Sequence, residues 1–457
     1  MYSFTQQSRM VILIFTVFLS ALGSVVYAQQ EENNRINFDQ DWRFHLGDTS
    51  MPYASGFNDT KWRVLHLPHD WSIEQPFDLK SAAGWQGGYL PGGIGWYRKT
   101  FEWNKKDQQH VMIQFDGVYM NSEVWINGHY LGKRPYGYIS YEYELTPYLR
   151  NGKNIIAVKA DNSKLPSGRW YTGSGIYRHV WLRTTSNIYV PQWGTYITTP
   201  KVSAQQADIA VRTELKNSNK NKAGITLQTT IIAPNGQQIS SISKSLKLDT
   251  ATNVHTQDIA IRQPELWSPS NPVRYKLVQR IISPDQPDEI YTTYFGIRSI
   301  RVNAKEGFVL NEKSIKLNGV CNHHDAGPVG SAVPEDVLYR RLKLLKDMGC
   351  NAIRTTHNPA APELYTICDT LGLMVLDEAF DGWDKPKAAN DYGLYFNEWW
   401  QKDLTDFIKR DRNHPSIVMW SIGNEVPKFE VALQKKLADV LKSLDTTPGY
   451  PGKKRRR

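Results

Sequence analysis

The stretch Arg410-Asp411-Arg412-Asn413-His414-Pro415-Ser416-Ile417-Val418-Met419-Trp420-Ser421-Ile422-Gly423-Asn424-Glu425 decides how this chain folds. Ile417-Val418-Met419-Trp420 is a short apolar run of the kind a buried strand needs. The segment before it, Phe396–Arg410, reads as a helix, and so does Val431–Leu444 after it. Asn424 and Glu425 fall just past the strand's end. Polar groups there suit the face of a parallel sheet on which ligands bind.

Working outward, the same unit recurs. Ile315–Val320 reads as a strand and Pro334–Met348 as an amphipathic helix, with Val337, Leu342, Leu345 and Met348 on or near one face. Strand Ala352–Arg354, helix Ala361–Leu371 and strand Met374–Asp377 follow. Four strand–helix units in succession imply a parallel α/β fold. His323 and His324 follow the first strand, Arg354 and His357 the second, Glu378 the third, and Asn424 and Glu425 the fourth. One such residue alone is usually a solvated loop group. Four strands ending this way point to the catalytic face of a TIM barrel.

Upstream the period changes. Residues 189–298 hold half-buried strand patterns such as Ile209-Ala210-Val211-Arg212-Thr213-Glu214-Leu215, with Pro234-Asn235-Gly236 as a turn. About 110 residues of that texture fit an immunoglobulin-like β-sandwich acting as a spacer. Residues 29–188 are short aromatic-rich strands broken by Gly, Pro and Asn, including Val124–Leu131 with Asn127-Gly128 as a hairpin turn. That pattern implies a jelly roll. The expected order is therefore jelly roll, sandwich and, over 299–457, part of a TIM (β/α)8 barrel.

Residues 1–28 read as a secretory signal: Arg9, the apolar run Val11–Leu22, then Val26 and Ala28 placed for cleavage before Gln29. Met10–Ala28 is uncharged throughout, so a retained anchor is the alternative. Cleavage implies an exported protein, periplasmic or extracellular, with no membrane contact afterwards. The formal charge of +10 includes five residues in Lys453–Arg457 and one at Arg9, leaving about +4 on the body. Charges of both signs are interspersed there, which argues against a nucleic-acid partner. Cys321, Cys350 and Cys368 are too few and too scattered for a disulfide framework. With 15 Trp and 24 Tyr the chain is rich in flat amphipathic rings, which suit sugar faces as well as cores.

The run Arg410–Glu425 resembles the acid/base signature of glycoside hydrolase family 2, the β-galactosidase/β-glucuronidase type. Leu67-Pro68-His69-Asp70-Trp71, Gly92–Lys99 and Arg169–Arg178 resemble that family's sugar-binding domain. Leu266-Trp267-Ser268-Pro269 and Phe295-Gly296-Ile297-Arg298 resemble its sandwich and the junction with the barrel. Similarity extends over about residues 34–446. The resemblance implies a retaining glycosidase acting on terminal β-galactosides or related β-glycosides of an oligo- or polysaccharide. Glu425 would be the general acid/base and Asn424 the ligand of the sugar 2-hydroxyl. His323, His357, Arg354 and Glu378 would line the pocket, with Arg354 as the cation for the carboxylates and the histidines as hydroxyl ligands.

Three departures qualify the resemblance. Where magnesium-dependent β-galactosidases carry a Glu and a His, this chain has Asp381-Gly382-Trp383-Asp384. The expectation is therefore no cofactor, with Asp384 reaching a hydroxyl or a cation. Arg169 stands where those enzymes place an acid, which weakens a direct transfer of galactose recognition. A full barrel needs eight strands and about 250 residues, yet 157 residues follow Ile300. The family's nucleophile lies on a later strand than any readable here, and the family pattern breaks after Thr447. The expectation is a chain inactive alone; a carbohydrate-binding protein without chemistry and one half of a split enzyme are the alternatives, and an oligomer is compatible with all three.

Overall fold

The computed structural model describes residues 34–104, 106, 109–426 and 430–447. The signal segment and the basic tail read from the sequence lie outside the described residues. The first domain is a pair of antiparallel sheets. One has six strands in the order Arg63–Leu65, Trp42–Leu46, Gly93–Trp103, Gly152–Asn162, Ser122–Ile126 and His129–Arg134. The other has four, in the order Arg35–Asn37, Val180–Ser186, Gln109–Phe115 and Tyr141–Glu144. Their inner faces share one core containing Trp42, Tyr97, Ile113, Phe115, Val124 and Val158. Asn127 and Gly128 both take positive φ, 51° and 87°, which matches the strand twist of a two-residue hairpin.

The second domain is also a two-sheet sandwich. Strand Gln206–Asn217 alternates between buried and partly exposed positions along almost its whole length. It pairs with Ile188–Tyr189, Thr195–Val202 and Thr252–Arg262, and the facing sheet runs Gln238–Leu248, Ala223–Ile232, Tyr275–Ser283, Gln286–Phe295. Period-two burial with one dry face is what a sandwich strand requires.

The third domain holds four parallel strands in chain order: Gly319–Asn322, Ala352–Thr355, Met374–Glu378 and Ile417–Ser421. Helices α1 (Glu335–Asp347), α2 (Pro362–Leu371), α3 (Phe396–Asp411) and α4 (Val431–Leu444) alternate with them. Pro362 opens α2, where a missing N–H costs nothing, and Gly372 closes it at φ 70°. The first barrel strand sits later than the sequence pattern suggests. Ile315 still donates to Phe308 of a preceding hairpin, and parallel pairing begins at Gly319 opposite Ala352. A side chain at Gly319 would meet the Ala352 carbonyl at 2.5 Å, so the close approach that starts the barrel needs glycine.

That hairpin, Ile300–Asn303 with Gly307–Leu310, lends Phe308 and Leu310 to a core with Trp267, Ala352, Met374 and Val418. It thus closes the N-terminal ends of the strands and leaves the C-terminal ends for the site. No helix among the described residues is long and apolar enough to cross a membrane.

The first domain is bolted to the third by buried polar contacts. Arg134 Nε donates to Asp403 at 2.7 Å and its Nη2 to Asp406 at 2.7 Å, with Arg134 and Asp403 almost fully buried. Asp70 accepts from Ser331 N and Oγ, both at 2.9 Å, and from Tyr171 at 2.6 Å. Removing one partner of such a pair leaves a buried charge unanswered, at about 3–5 kcal/mol. Arg134→Ala is expected to lower unfolding stability by that amount in urea titrations, with the contact between first and third domains lost first.

His179 gives a pH-dependent contribution. Burial alone would lower its pKa, but the hydrogen bond from Nδ1 to Asp39 at 2.6 Å and the charges of Glu363 and Asp39 outweigh it and raise it to about 9. A value raised above the ordinary 6.5 means the stabilisation is complete below about pH 6.5 and is lost as pH climbs through about 9. The unfolding midpoint should therefore fall between those limits, and His179→Asn should flatten that part of the profile.

Candidate active site

Strand periodicity places the site. Residues two apart share a face, and the register sets Glu378 beside Ser421 and Arg354 beside Leu376. Asp377 and Thr355 use the other face, where the Asp377 carboxylate accepts from Thr355 at 2.9 Å and from Tyr365 of α2 at 2.8 Å.

Glu378 is the hub of the cluster. Its side chain is only 1% exposed. It accepts from Arg354 Nη2 at 2.9 and 2.7 Å and from Ser421 Oγ at 2.6 Å, and it pairs with His357 Nδ1 at 2.7 Å. Burial pushes its pKa up, yet the bonds from His357, Ser421 and Arg354 bring it below the usual carboxylate value, so it stays ionised.

From that hub the contacts run outward. Arg354 Nη2 also donates to Asn424 Oδ1 at 2.9 Å. Asn424 Nδ2 donates to Asp381 Oδ1 at 2.9 Å, and its own main-chain N–H donates to Phe380 O at 2.9 Å. The amide is thereby fixed in orientation with one side-chain N–H to spare. Asp381 in turn receives Arg169 Nε and Nη2 at 2.9 and 2.7 Å and Lys387 Nζ at 3.1 Å. These cations and the Asn424 bond hold its pKa low against the opposing effect of burial.

Glu425 stands at the mouth, its side chain 67% exposed and its backbone at φ 45°. Its carboxylate lies 3.1 Å from Arg169 Nη2 and 3.9 Å from Lys387 Nζ. A loop of the first domain therefore supplies the cation nearest the residue expected to move protons.

An aromatic wall flanks this cluster. Trp170 lies against the rings of His323 and His357 at 5.4 and 5.5 Å, and the two histidine rings are 5.7 Å apart. Burial, followed by the charge of His357, lowers the His323 pKa, so its ring is neutral at pH 7. His324 is set apart: it contacts Thr172 O through Nε2 at 3.1 Å, and its pKa is pushed down to about 4, chiefly by burial.

Of the residues singled out in the sequence, Glu425, Asn424, Arg354, Glu378, His357 and His323 come together around one opening. Asp384 does not join them: among the described residues its buried Oδ1 has no hydrogen-bond partner. Asp381, Lys387, Trp170 and Ser421 belong to the cluster without having been picked as site residues. Ser421 and Trp170 sit inside the quoted signatures, and strand alternation alone would have turned Ser421 toward Glu378. Nothing local marks Lys387, whose partners become neighbours only when the loop after the third strand folds back.

Three family models match the chain in order: "Glycosyl hydrolases family 2, sugar binding domain" over 88–186, "Glycosyl hydrolases family 2" over 192–298, and "Glycosyl hydrolases family 2, TIM barrel domain" over 300–449. A β-galactosidase, BoGH2A, of Bacteroides ovatus is 50% identical over 395 residues, covering 86% of this chain and 46% of that protein. A β-glucuronidase of Formosa agariphila is 30% identical over 444 residues, covering 91% of this chain and 44% of that protein. Among solved structures, a β-glycosidase from Bacteroides vulgatus superposes with a TM-score of 0.86 at 49% identity, over 90% of this chain and 53% of that one. The chain spans about half the length of the curated relatives it matches. Three consecutive domain matches, in the order and with the architecture described above, place it: the chain belongs to glycoside hydrolase family 2.

Proposed function

We propose that this chain carries the acid/base side of a retaining glycosidase that removes a terminal β-galactoside, or a related β-linked sugar, from an oligo- or polysaccharide. One observation carries the reading: Asn424 is clamped between Arg354 and Asp381 beside an accessible Glu425. In such a reaction one carboxyl protonates the leaving oxygen while a second attacks the anomeric carbon, and the first then takes a proton from water. Glu425 fills the first role. The attacking carboxylate is assigned by the family resemblance to a later barrel strand.

Asn424 uses its spare N–H on the sugar 2-hydroxyl, a contact that strengthens as charge develops at the anomeric carbon. His323 and His357, backed by Trp170, offer ring nitrogens and a flat face to the glycone. Arg169, bonded to Asp381 and 3.1 Å from the Glu425 carboxylate, positions Glu425 at the mouth for both proton transfers. Relatives named β-galactosidase and β-glucuronidase both match the chain, which keeps the glycone to a terminal β-galactoside or a related β-linked sugar. Asp381 is already neutralised by Arg169 and Lys387, so this donor set does not suit a divalent cation, and the reading needs no magnesium. The signal pattern of Arg9, the apolar run Val11–Leu22 and the small residues before Gln29 supports export.

Two measurements test the assignment, on the chain itself and on a form extended to the relatives' length. Glu425→Gln should cut kcat/KM about 10²–10⁴-fold for alkyl glycosides, which need a proton on the leaving oxygen. Activated aryl glycosides should lose far less in the glycosylation step. Equal losses for both substrates would remove Glu425 from the role.

Asn424→Ala should cost about 1–3 kcal/mol in transition-state binding for substrates with a 2-hydroxyl. The same substitution should cost little for 2-deoxy analogues. A loss independent of the 2-hydroxyl would show that Asn424 acts only by packing.

A further inference from the structure

A cavity of about 500 Å3 opens where all three domains meet, and it shares no lining residue with the Glu425 cluster. Its walls include Arg35 and Arg183 from the first domain, Gln192 and Arg274 from the second, and Lys409 and Arg410 from the third. That volume is in the range that holds a small organic ligand.

The charges do not cancel. Arg183 is answered by Glu142 at 2.9 Å, Lys409 by Glu214 at 3.1 Å and Arg410 by Asp411 at 2.7 Å. The acid on the wall, Asp369, is taken by His414 at 2.7 Å. Arg35 and Arg274 have no ion-pair partner among the described residues; their guanidinium groups lie over the rings of Trp181 and Tyr294 at 4.5 and 4.7 Å.

The hydrogen-bond balance has the same sign. Among the described residues, three that line the cavity have a buried polar atom without a partner: Arg35 Nε, Gln192 Nε2 and Arg410 Nη1. All three are N–H donors. Arg410 is 8% exposed, so its free N–H is not answered by bulk solvent. A buried donor left unmatched is costly, and donors gathered at one cavity call for a ligand rich in acceptors. Water would answer the donors; the two guanidinium groups without an ion-pair partner among the described residues select an anion.

We propose that this three-domain cavity binds a small ligand bearing an oxyanion, a sulfate, phosphate or carboxylate, held by Arg35, Gln192, Arg274 and Arg410. Trp193 on its wall offers an aromatic ring suited to a sugar carrying that group. Because every domain contributes, occupancy stabilises their mutual arrangement.

The test is calorimetric titration of the full chain at constant ionic strength with inorganic sulfate, inorganic phosphate and galactose 6-sulfate. Each is repeated with Arg274→Gln and with Gln192→Glu, which keeps size and shape while replacing a donor by a negative acceptor. Circular dichroism checks that both variants fold. Saturable binding weakened at least about tenfold in both variants is the expected result, since each loses a charge-assisted contact or gains a repulsive one. Tighter binding of the sulfate ester than of inorganic sulfate assigns the site to a saccharide-borne anion, and equal binding assigns it to the free ion. Unchanged affinity in the variants, or no binding of any of the three anions to the native chain, overturns the proposal.

Discussion

A single buried carboxylate organises the site. Glu378 sits at the end of the third barrel strand with almost no solvent contact, and an ionised group there is tolerable only because Arg354, His357 and Ser421 all face it. Each of those partners is thereby fixed in turn. Arg354, once committed to Glu378, has a defined direction in which to meet Asn424, and Asn424 then has only one orientation that satisfies both Arg354 and Asp381. The order of the active-site mouth is inherited, link by link, from the need to keep one charge satisfied in the interior.

That chain of constraints crosses a domain boundary. Asp381 is held by Arg169, which lies in the first domain, and the segment bearing Arg169 is itself positioned by Asp70 through Tyr171 and Ser174. Asp70 also reaches Ser331 of the third domain. The sandwich between them contributes differently, through Trp267 under the barrel floor and Arg298 donating to Ile417 O at 2.9 Å. Gly296 must be glycine there, because a side chain would meet Pro415 at 2.5 Å. The domains form one machine because these polar contacts, together with an apolar core in which Tyr119, Tyr136 and Tyr177 pack with Tyr365 and Phe380, fix their angles.

Much of this was legible in the sequence. Helices α1–α4 and the second to fourth barrel strands follow from apolar periodicity, since each element buries one face against a neighbour close in sequence. The start of the first strand was not, because Ile315 and Leu317 look as strand-like as Val320, and only pairing with Ala352 decides where the barrel begins. Arg354, His357, Glu378, Asn424 and Glu425 stand out because they end strands. Asp381 and Lys387 lie in a loop and are recruited by partners such as Arg169, 212 residues away from Asp381 in the sequence. Composition and spacing carry no trace of such a pairing until the fold is known.

The Arg169–Asp381 pair also bears on how such proteins can be recombined. Sequence domains in a multidomain chain are often treated as exchangeable modules, each bringing its own property. Here a chimera that imports a foreign sugar-binding domain without an arginine at this position would leave Asp381 with Lys387 and Asn424 and remove the nearest cation from Glu425. Importing a foreign barrel segment without Asp381 would leave the guanidinium to Glu425 alone. The unit of inheritance is therefore the pair, and the boundary between the two domains cuts through the middle of a site rather than around it.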